Sequence, residues 1–282
     1  MTRMPALFIG HGSPMNTLEV NGFTTAWRLL GSQLPKPRAF LVVSAHWFFG
    51  ATAVTGMAHP RTIHDFYGFP PELFAFEYPA AGGLEIAEEV AELVKPIWCG
   101  LDRDQWGLDH GTWSVLTHLR PDADVPVIQL SMNALKPLSY HLELGAKLAA
   151  LRDRDIIVIG SGNVLHNLGR LSRKEPDGAF DWACRFDDAV VEQLQSDPAG
   201  ILTVSAHADY TLSVPTPDHF IPMLYIAGVA AASGERMNAF VRGYSMGSLS
   251  MTCYGIGMDE HCQNELGAGT LPQGVPADQS NM

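Results

Sequence analysis

Basic side chains are scarce in this sequence: 18 Lys and Arg stand against 30 Asp and Glu, a formal charge of −12 with His neutral. That balance excludes nucleic acid as a partner, because neutralising phosphates requires clustered Lys and Arg and no such run occurs. Long apolar stretches are missing too. The most extended, 39–45 and 156–159, fall far short of the ~20 residues that span a bilayer, so no membrane segment is expected. The opening Met1-Thr2-Arg3-Met4-Pro5 carries one basic residue and leads into no extended apolar core or cleavage motif, and a cytoplasmic protein is expected. Cysteine is sparse. Cys99, Cys184, Cys253 and Cys262 form neither a disulfide scaffold nor a CxxC zinc site and read as reduced thiols. Cys253 and Cys262 with His261 have a spacing that matches no recurrent metal site.

What is present is material for a core: 46 % of the 282 residues are hydrophobic and only 17 % are charged, the balance of a folded chain. The length fits one large domain or two small ones, and no internal repeat or linker divides it. Short aliphatic runs predict strands at 7–9, 40–43, 52–55, 125–130 and 156–159, with a late pair near 237–241 and 250–254. Most are apolar at every position, as strands covered on both faces must be. Helical spacing fills 23–34, 84–94, 112–119, 138–151, 180–194 and 217–231. The alternation predicts an α/β fold, a single domain with a central, mostly parallel sheet flanked by helices on both faces. That domain is expected to occupy 1–262. From 263 to 282 Gly, Pro, Gln, Ser and Asn prevail with little to bury, which predicts a mobile C-terminal tail.

Several of the eleven histidines occupy equivalent places. Gly10-His11-Gly12-Ser13-Pro14 puts His11 directly after the first strand, between glycines that permit a sharp turn and close approach of a ligand. Ser44-Ala45-His46-Trp47 repeats this after the second strand, and Gly160-Ser161-Gly162-Asn163 after a later one, with His166 three residues on. Ligands of open parallel sheets bind beyond the carboxyl ends of the strands, so His11, His46 and His166 are expected to face one crevice. In Thr216-Pro217-Asp218-His219, Thr216 reads as a helix N-cap and Pro217 as the first helical residue. His219 then falls in the first turn, where the helix dipole keeps an imidazole neutral and fit for a metal. His110, in Leu108-Asp109-His110-Gly111-Thr112-Trp113, marks a helix start. His64 opens the aromatic loop Ile63-His64-Asp65-Phe66-Tyr67-Gly68-Phe69-Pro70, which can wall a pocket or pack in the core. Any one of these could be a hydrogen-bonded structural histidine, and His59, His118, His141, His207 and His261 read that way.

Taken in order, the blocks around His11, His46, His64, His110, His166 and His219 resemble the class III extradiol ring-cleavage dioxygenases, and among them the DOPA dioxygenase branch, over residues 5–255. The resemblance implies one non-haem Fe(II), a catechol substrate, O2 as co-substrate, and cleavage of the carbon–carbon bond beside the two hydroxyls. By motif position, His11, His46 and His219 would be the metal ligands, His166 the acid/base residue, and His110 a neighbour of the substrate or oxygen site. The protocatechuate-cleaving relatives use two histidines and a glutamate, so His219 next to Asp218 is a departure from them, as in the DOPA branch. Three neutral ligands leave the metal its full charge, which implies tighter binding of an anionic catecholate. A facial set of three ligands leaves open positions for a bidentate catecholate and oxygen. A histidine of ordinary pKa, about 6.5, suits proton transfer in both directions. Trp47, His64, Tyr67 and Phe69, with Phe48 and Phe66, are expected to bind the aromatic ring.

Two other readings share these residues. A Zn(II) hydrolase would hold a water with pKa lowered to about 7 on the same ligands. Zn(II), which binds more tightly than Fe(II), could also occupy the site of the isolated protein without being its working metal. A metal-binding scaffold of the same fold without turnover is the third reading. The late apolar strand can complete the sheet of one chain or pair across a dimer, so no oligomeric state follows.

Overall fold

A computed structural model describes residues 3–174 and 176–258. The boundary expected at 262, the tail over 263–282, and His261 with Cys262 lie outside the described residues. The strands are β1 (Ala6–Gly10), β2 (Ala39–Phe49), β3 (Ala53–Thr55), β4 (Gly100–Asp102), β5 (Val127–Asn133), β6 (Ile156–Gly162), β7 (Asn238–Val241), β8 (Tyr244–Ser245), β9 (Leu249–Ser250) and β10 (Cys253–Ile256). The α-helices are α1 (Gly22–Gln33), α2 (Pro71–Phe74), α3 (Leu84–Leu93), α4 (His110–Leu119), α5 (Leu138–Leu148), α6 (Asp181–Ser196), α7 (Tyr210–Ser213) and α8 (Ile221–Ser233).

Eight strands form one sheet in the order β4-β3-β5-β2-β6-β1-β10-β7. Its centre, β5-β2-β6-β1, is parallel throughout. Antiparallel pairings appear only towards the margins, at β3–β5, β1–β10 and β10–β7. The late apolar strand therefore completes the sheet within its own chain, beside β1. Side chains along a strand alternate between faces, and here both sets are apolar. Leu7, Ile9, Phe40, Val42, Ile157 and Ile159 pack with Trp27 of α1 and Trp113 of α4. Phe8, Leu41, Val43, Ile156 and Val158 face the opposite layer, with residues of α3, α5, α6 and α8. Helix α8 has no polar face, and its first ten residues are all buried, as befits a helix enclosed on all sides. No helix of the described residues is long and apolar enough to cross a membrane.

Three details of this frame shape the carboxyl end of the sheet. Pairing of β2 with β6 stops at Ser44 and Ser161, and the register of β2 against β5 shifts between Val43 and Phe48. His46 thus lies inside an irregular extension of β2 rather than in a loop after the strand, and the parting of β2 from β6 opens a crevice there. Gly162 ends β6 with the carbonyl of His219 so close that a Cβ would collide with it. The Asn163 N–H donates to that same carbonyl at 2.9 Å. The helix expected from Pro217 begins only at Ile221, because Thr216-Pro217-Asp218 is spent on a turn whose Pro217 carbonyl accepts from the Phe220 and Ile221 N–H groups. His219 consequently precedes α8, and the partner that orients it is a carboxylate rather than a first helical turn.

Candidate metal centre

His11 leaves β1 at a residue pair in which Gly12 adopts φ +61°, a backbone conformation a side chain would strain. Its Nδ1 lies 3.0 Å from Ser161 Oγ. The single hydroxyl proton of Ser161 goes to the Gly111 carbonyl, so Ser161 must accept from the His11 Nδ1–H. His46 Nδ1 is 3.2 Å from Asp65 Oδ2, and His110 Nδ1 is 2.9 Å from Asp65 Oδ1. His219 Nδ1 donates to Asp218 Oδ2. A carboxylate only accepts, so His110 and His219, like His11, carry their proton on Nδ1 and keep a bare lone pair on Nε2, and the 3.2 Å approach of His46 Nδ1 to Asp65 favours the same tautomer there.

Nε2 of His11 and Nε2 of His46 face each other at 3.2 Å. With both rings protonated on Nδ1, the two lone pairs at that distance would repel unless a cation stood between them. Nitrogens about 2.1 Å from one ion, at angles between a right angle and the tetrahedral value, lie about 3.0–3.4 Å apart, so the donor pair fits a metal. Burial and neighbouring imidazoles hold the His11, His46 and His166 rings well below the ordinary histidine pKa, in the neutral form that coordination requires.

The ring of His219 completes a nearly equilateral triangle: centroids are 5.1 Å apart for His11–His46, 5.4 Å for His11–His219 and 5.1 Å for His46–His219. His110 is placed less evenly, 5.8 Å from His11 and 3.8 Å from His46, although its ligand atom and those of His11 and His46 all lie within 4.8 Å of one another. His166 lies flat on His219 at 3.5 Å, its ring plane within 2°. All five rings line a cavity of about 300 Å³ whose other walls include Phe66, Phe69, Met246 and Leu249.

The carboxylates around the site behave differently from one another. Burial alone would raise Asp65 and Asp218, but hydrogen bonds and charge from His110 hold the first below its usual range, and those from His219 hold the second further down. Asp109, fully buried at the start of α4, is pushed up to about 6 by burial and by the charge of Asp65. It accepts from Ser44 Oγ at 2.7 Å and from the Gln129 amide, which ties α4 to β2 and β5 behind the histidines.

Of the residues expected to bind the ring, Phe69 lines the cavity, as does Phe66. Trp47 does not. It lines a neighbouring cavity of about 580 Å³, which His46 also borders, and stacks there on Trp106 with centroids 5.8 Å apart. Phe48 lines that second cavity as well. Tyr67 is 91 % exposed. His64 donates from Nε2 to the Phe76 carbonyl and packs against Phe66, Phe74 and Trp113, so it buttresses the aromatic loop from behind. The sequence reading gave no role to Asp65, Ser161, Met246 or Leu249. Asp65 and Ser161 stood within the quoted motifs, where a carboxylate or hydroxyl near histidines was a usable signal. Met246 and Leu249 carried none, because they reach the site through the β8–β9 ribbon, whose Leu249 bridges to His166.

Residues 6–256 match the family described as the catalytic LigB subunit of aromatic ring-opening dioxygenase. The chain belongs to the LigB family. Over 260 residues it is 47 % identical to a protein of Escherichia coli (strain K12) named 4,5-DOPA dioxygenase extradiol, covering 91 % of this chain and 96 % of that one. A Beta vulgaris protein of the same name is 33 % identical over 259 residues, 88 % of this chain and 94 % of its own. Among solved LigB-like structures, an uncharacterized protein of Escherichia coli K12 superposes with a TM-score of 0.77 at 42 % identity, over 90 % of this chain and all of that one.

Proposed function

We propose that this LigB-family enzyme is a metal-dependent extradiol dioxygenase that opens a catechol ring with both atoms of O2. Its relatives' names make DOPA the first substrate to test. The observation that carries the reading is the pair of Nε2 atoms of His11 and His46, set at 3.2 Å in a cavity lined by three further imidazoles and by Phe66 and Phe69. His11, His46 and His219 would hold the ion, in keeping with motif position and near-equal ring separations, and His110, whose ligand atom lies within 4.8 Å of those of His11 and His46, is the rival for third ligand. Fe(II) is the working metal in this reading, with Zn(II) an occupant that tighter binding favours in the isolated protein. When bound, the ion supplies Lewis acidity towards the catechol oxygens and an electronic path between ring and O2.

The chain's own residues supply the rest. Phe66 and Phe69 hold a flat ring and exclude water from it. His110, protonated on Nδ1 towards Asp65, offers Nε2 as an acceptor for a catechol hydroxyl. His166, kept neutral by burial, accepts a hydroxyl proton and later returns it to oxygen. A hydrolase would share the metal ligands, and oxygen uptake with a catechol separates the two reactions.

The test is anaerobic reconstitution with Fe(II), followed by DOPA and other catechols in air. Oxygen uptake equal to catechol consumed, with a yellow ring-cleavage product, is expected. No uptake with any catechol, despite one metal bound per chain, would sink the reading. In the same preparations His219→Ala is expected to lose metal and His110→Ala to keep it, and the reverse result would exchange their roles.

A further inference from the structure

Asp65 sits in the loop between β3 and α2, yet both of its carboxylate oxygens are committed to imidazoles from elsewhere. Oδ1 accepts from His110 Nδ1–H at 2.9 Å and from the His110 backbone N–H at 3.1 Å. Oδ2 faces His46 Nδ1 at 3.2 Å. The loop that presents it is fixed at its start by the Ile63 N–H to the Leu108 carbonyl at 2.7 Å and by Trp113 Nε1–H to the Ile63 carbonyl at 2.9 Å. Phe66, next in sequence, packs edge-on against His110. The other buried carboxylate nearby, Asp109, spends its oxygens on Ser44, Thr112, Trp106 and Gln129.

We propose that Asp65 is a positioning residue that fixes the tautomers of His46 and His110 together, turning one Nε2 towards the metal and the other towards substrate. The inference rests on the metal-dependent reading above and deepens it. A carboxylate has two acceptor oxygens and can take both Nδ1–H groups at once. An amide has one. In Asp65→Asn the amide oxygen must stay with His110, because the His110 backbone N–H also points there and an NH2 group cannot accept it. The NH2 group then faces His46 and requires a bare Nδ1, which moves the proton of His46 to Nε2, where the ion should bind. The substitution therefore strikes the metal through His46 while leaving His110 as it was. Carboxylate partners of metal-binding histidines are worth about 10–100-fold in affinity, and the same loss is expected here.

The experiment uses the full chain and two readouts that need no turnover. Nitrogen-15 NMR of the imidazoles in the Zn(II)-loaded wild type is expected to show Nδ1–H on both His46 and His110. Anaerobic titration with Fe(II), and separately Zn(II), against a competing chelator is expected to show affinity about 10–100-fold weaker in Asp65→Asn, with His46 switched to Nε2–H. Asp65→Glu, which keeps two acceptors, is expected to recover most of the affinity. Finding Nδ1 of either ring bare in the wild type would overturn the proposal, a result that does not depend on any variant folding. So would unchanged affinity in Asp65→Asn, or a loss that Asp65→Glu fails to restore and that tracks a lowered unfolding midpoint, since that marks a loop anchor only. Absence of catechol cleavage by the wild type would count against the proposed reaction and leave these metal and tautomer readouts standing.

Discussion

His166 lies flat against His219 at 3.5 Å and is held neutral by burial, so it can take a proton without being a ligand. His166→Ala is expected to keep metal content near wild type while turnover falls by about 10²–10⁴-fold, as measured by metal analysis beside oxygen uptake. Loss of metal in parallel with activity would make it part of the donor set instead. The histidines were readable in the sequence because each stands where a parallel sheet ends or a helix begins. Their partners, Asp65 and Ser161, stood in the same motifs, but which ring each would meet was not readable. A loop aspartate such as Asp65 gives no sign that it will meet His110, 45 residues on, until the chain has folded. Trp47 was no more legible: His46, Trp47 and Phe48 all border the neighbouring cavity where β2 is irregular, so strand alternation does not sort them between the two cavities.

Among the elements, the close contact between the end of β6 and the turn before α8 sets where His219 stands. A methyl group at Gly162 would meet the His219 carbonyl oxygen, and the neighbouring Asn163 N–H is bonded to that oxygen. Gly162→Ala is expected to push the turn off the sheet, costing about 1–3 kcal/mol of stability and weakening metal binding through His219. Thermal unfolding and metal titration check it, and full retention of both would show that the turn has room to give. The central strands and long helices were legible because strands apolar at every position must be covered on both faces and amphipathic spacing marks their covers. Strands β4, β8 and β9, of two or three residues, are too short to carry any period, and the start of α8 was masked by a proline turn that mimics a helix opening.

For the molecule as a whole, the buried imidazoles set the response to acid. His11, His46 and His166 have their pKa values driven well down, and burial brings His118 and His141 to about 4. The unfolded chain, with histidines near their ordinary value of about 6.5, takes up protons that the native state refuses. Stability therefore falls as pH drops below that value, by up to about 1.4 kcal/mol per pH unit for each ring. Asp109, raised to about 6, works the other way between its folded and unfolded values, as do Asp187 and Glu19, but three carboxyls oppose five imidazoles. The unfolding midpoint of the metal-free protein is expected to drop steadily from pH 7 to pH 5, and a flat profile across that range would mean that the rings titrate alike in both states.

The placement of β10 against β1, with Ala6 opposite Ile256, has a bearing on synthesis. A ribosome delivers His11 well before the ribbon carrying Met246 and Leu249 and the strand that flanks β1. The wall of the pocket is therefore made only after the segments that carry all five of its imidazoles.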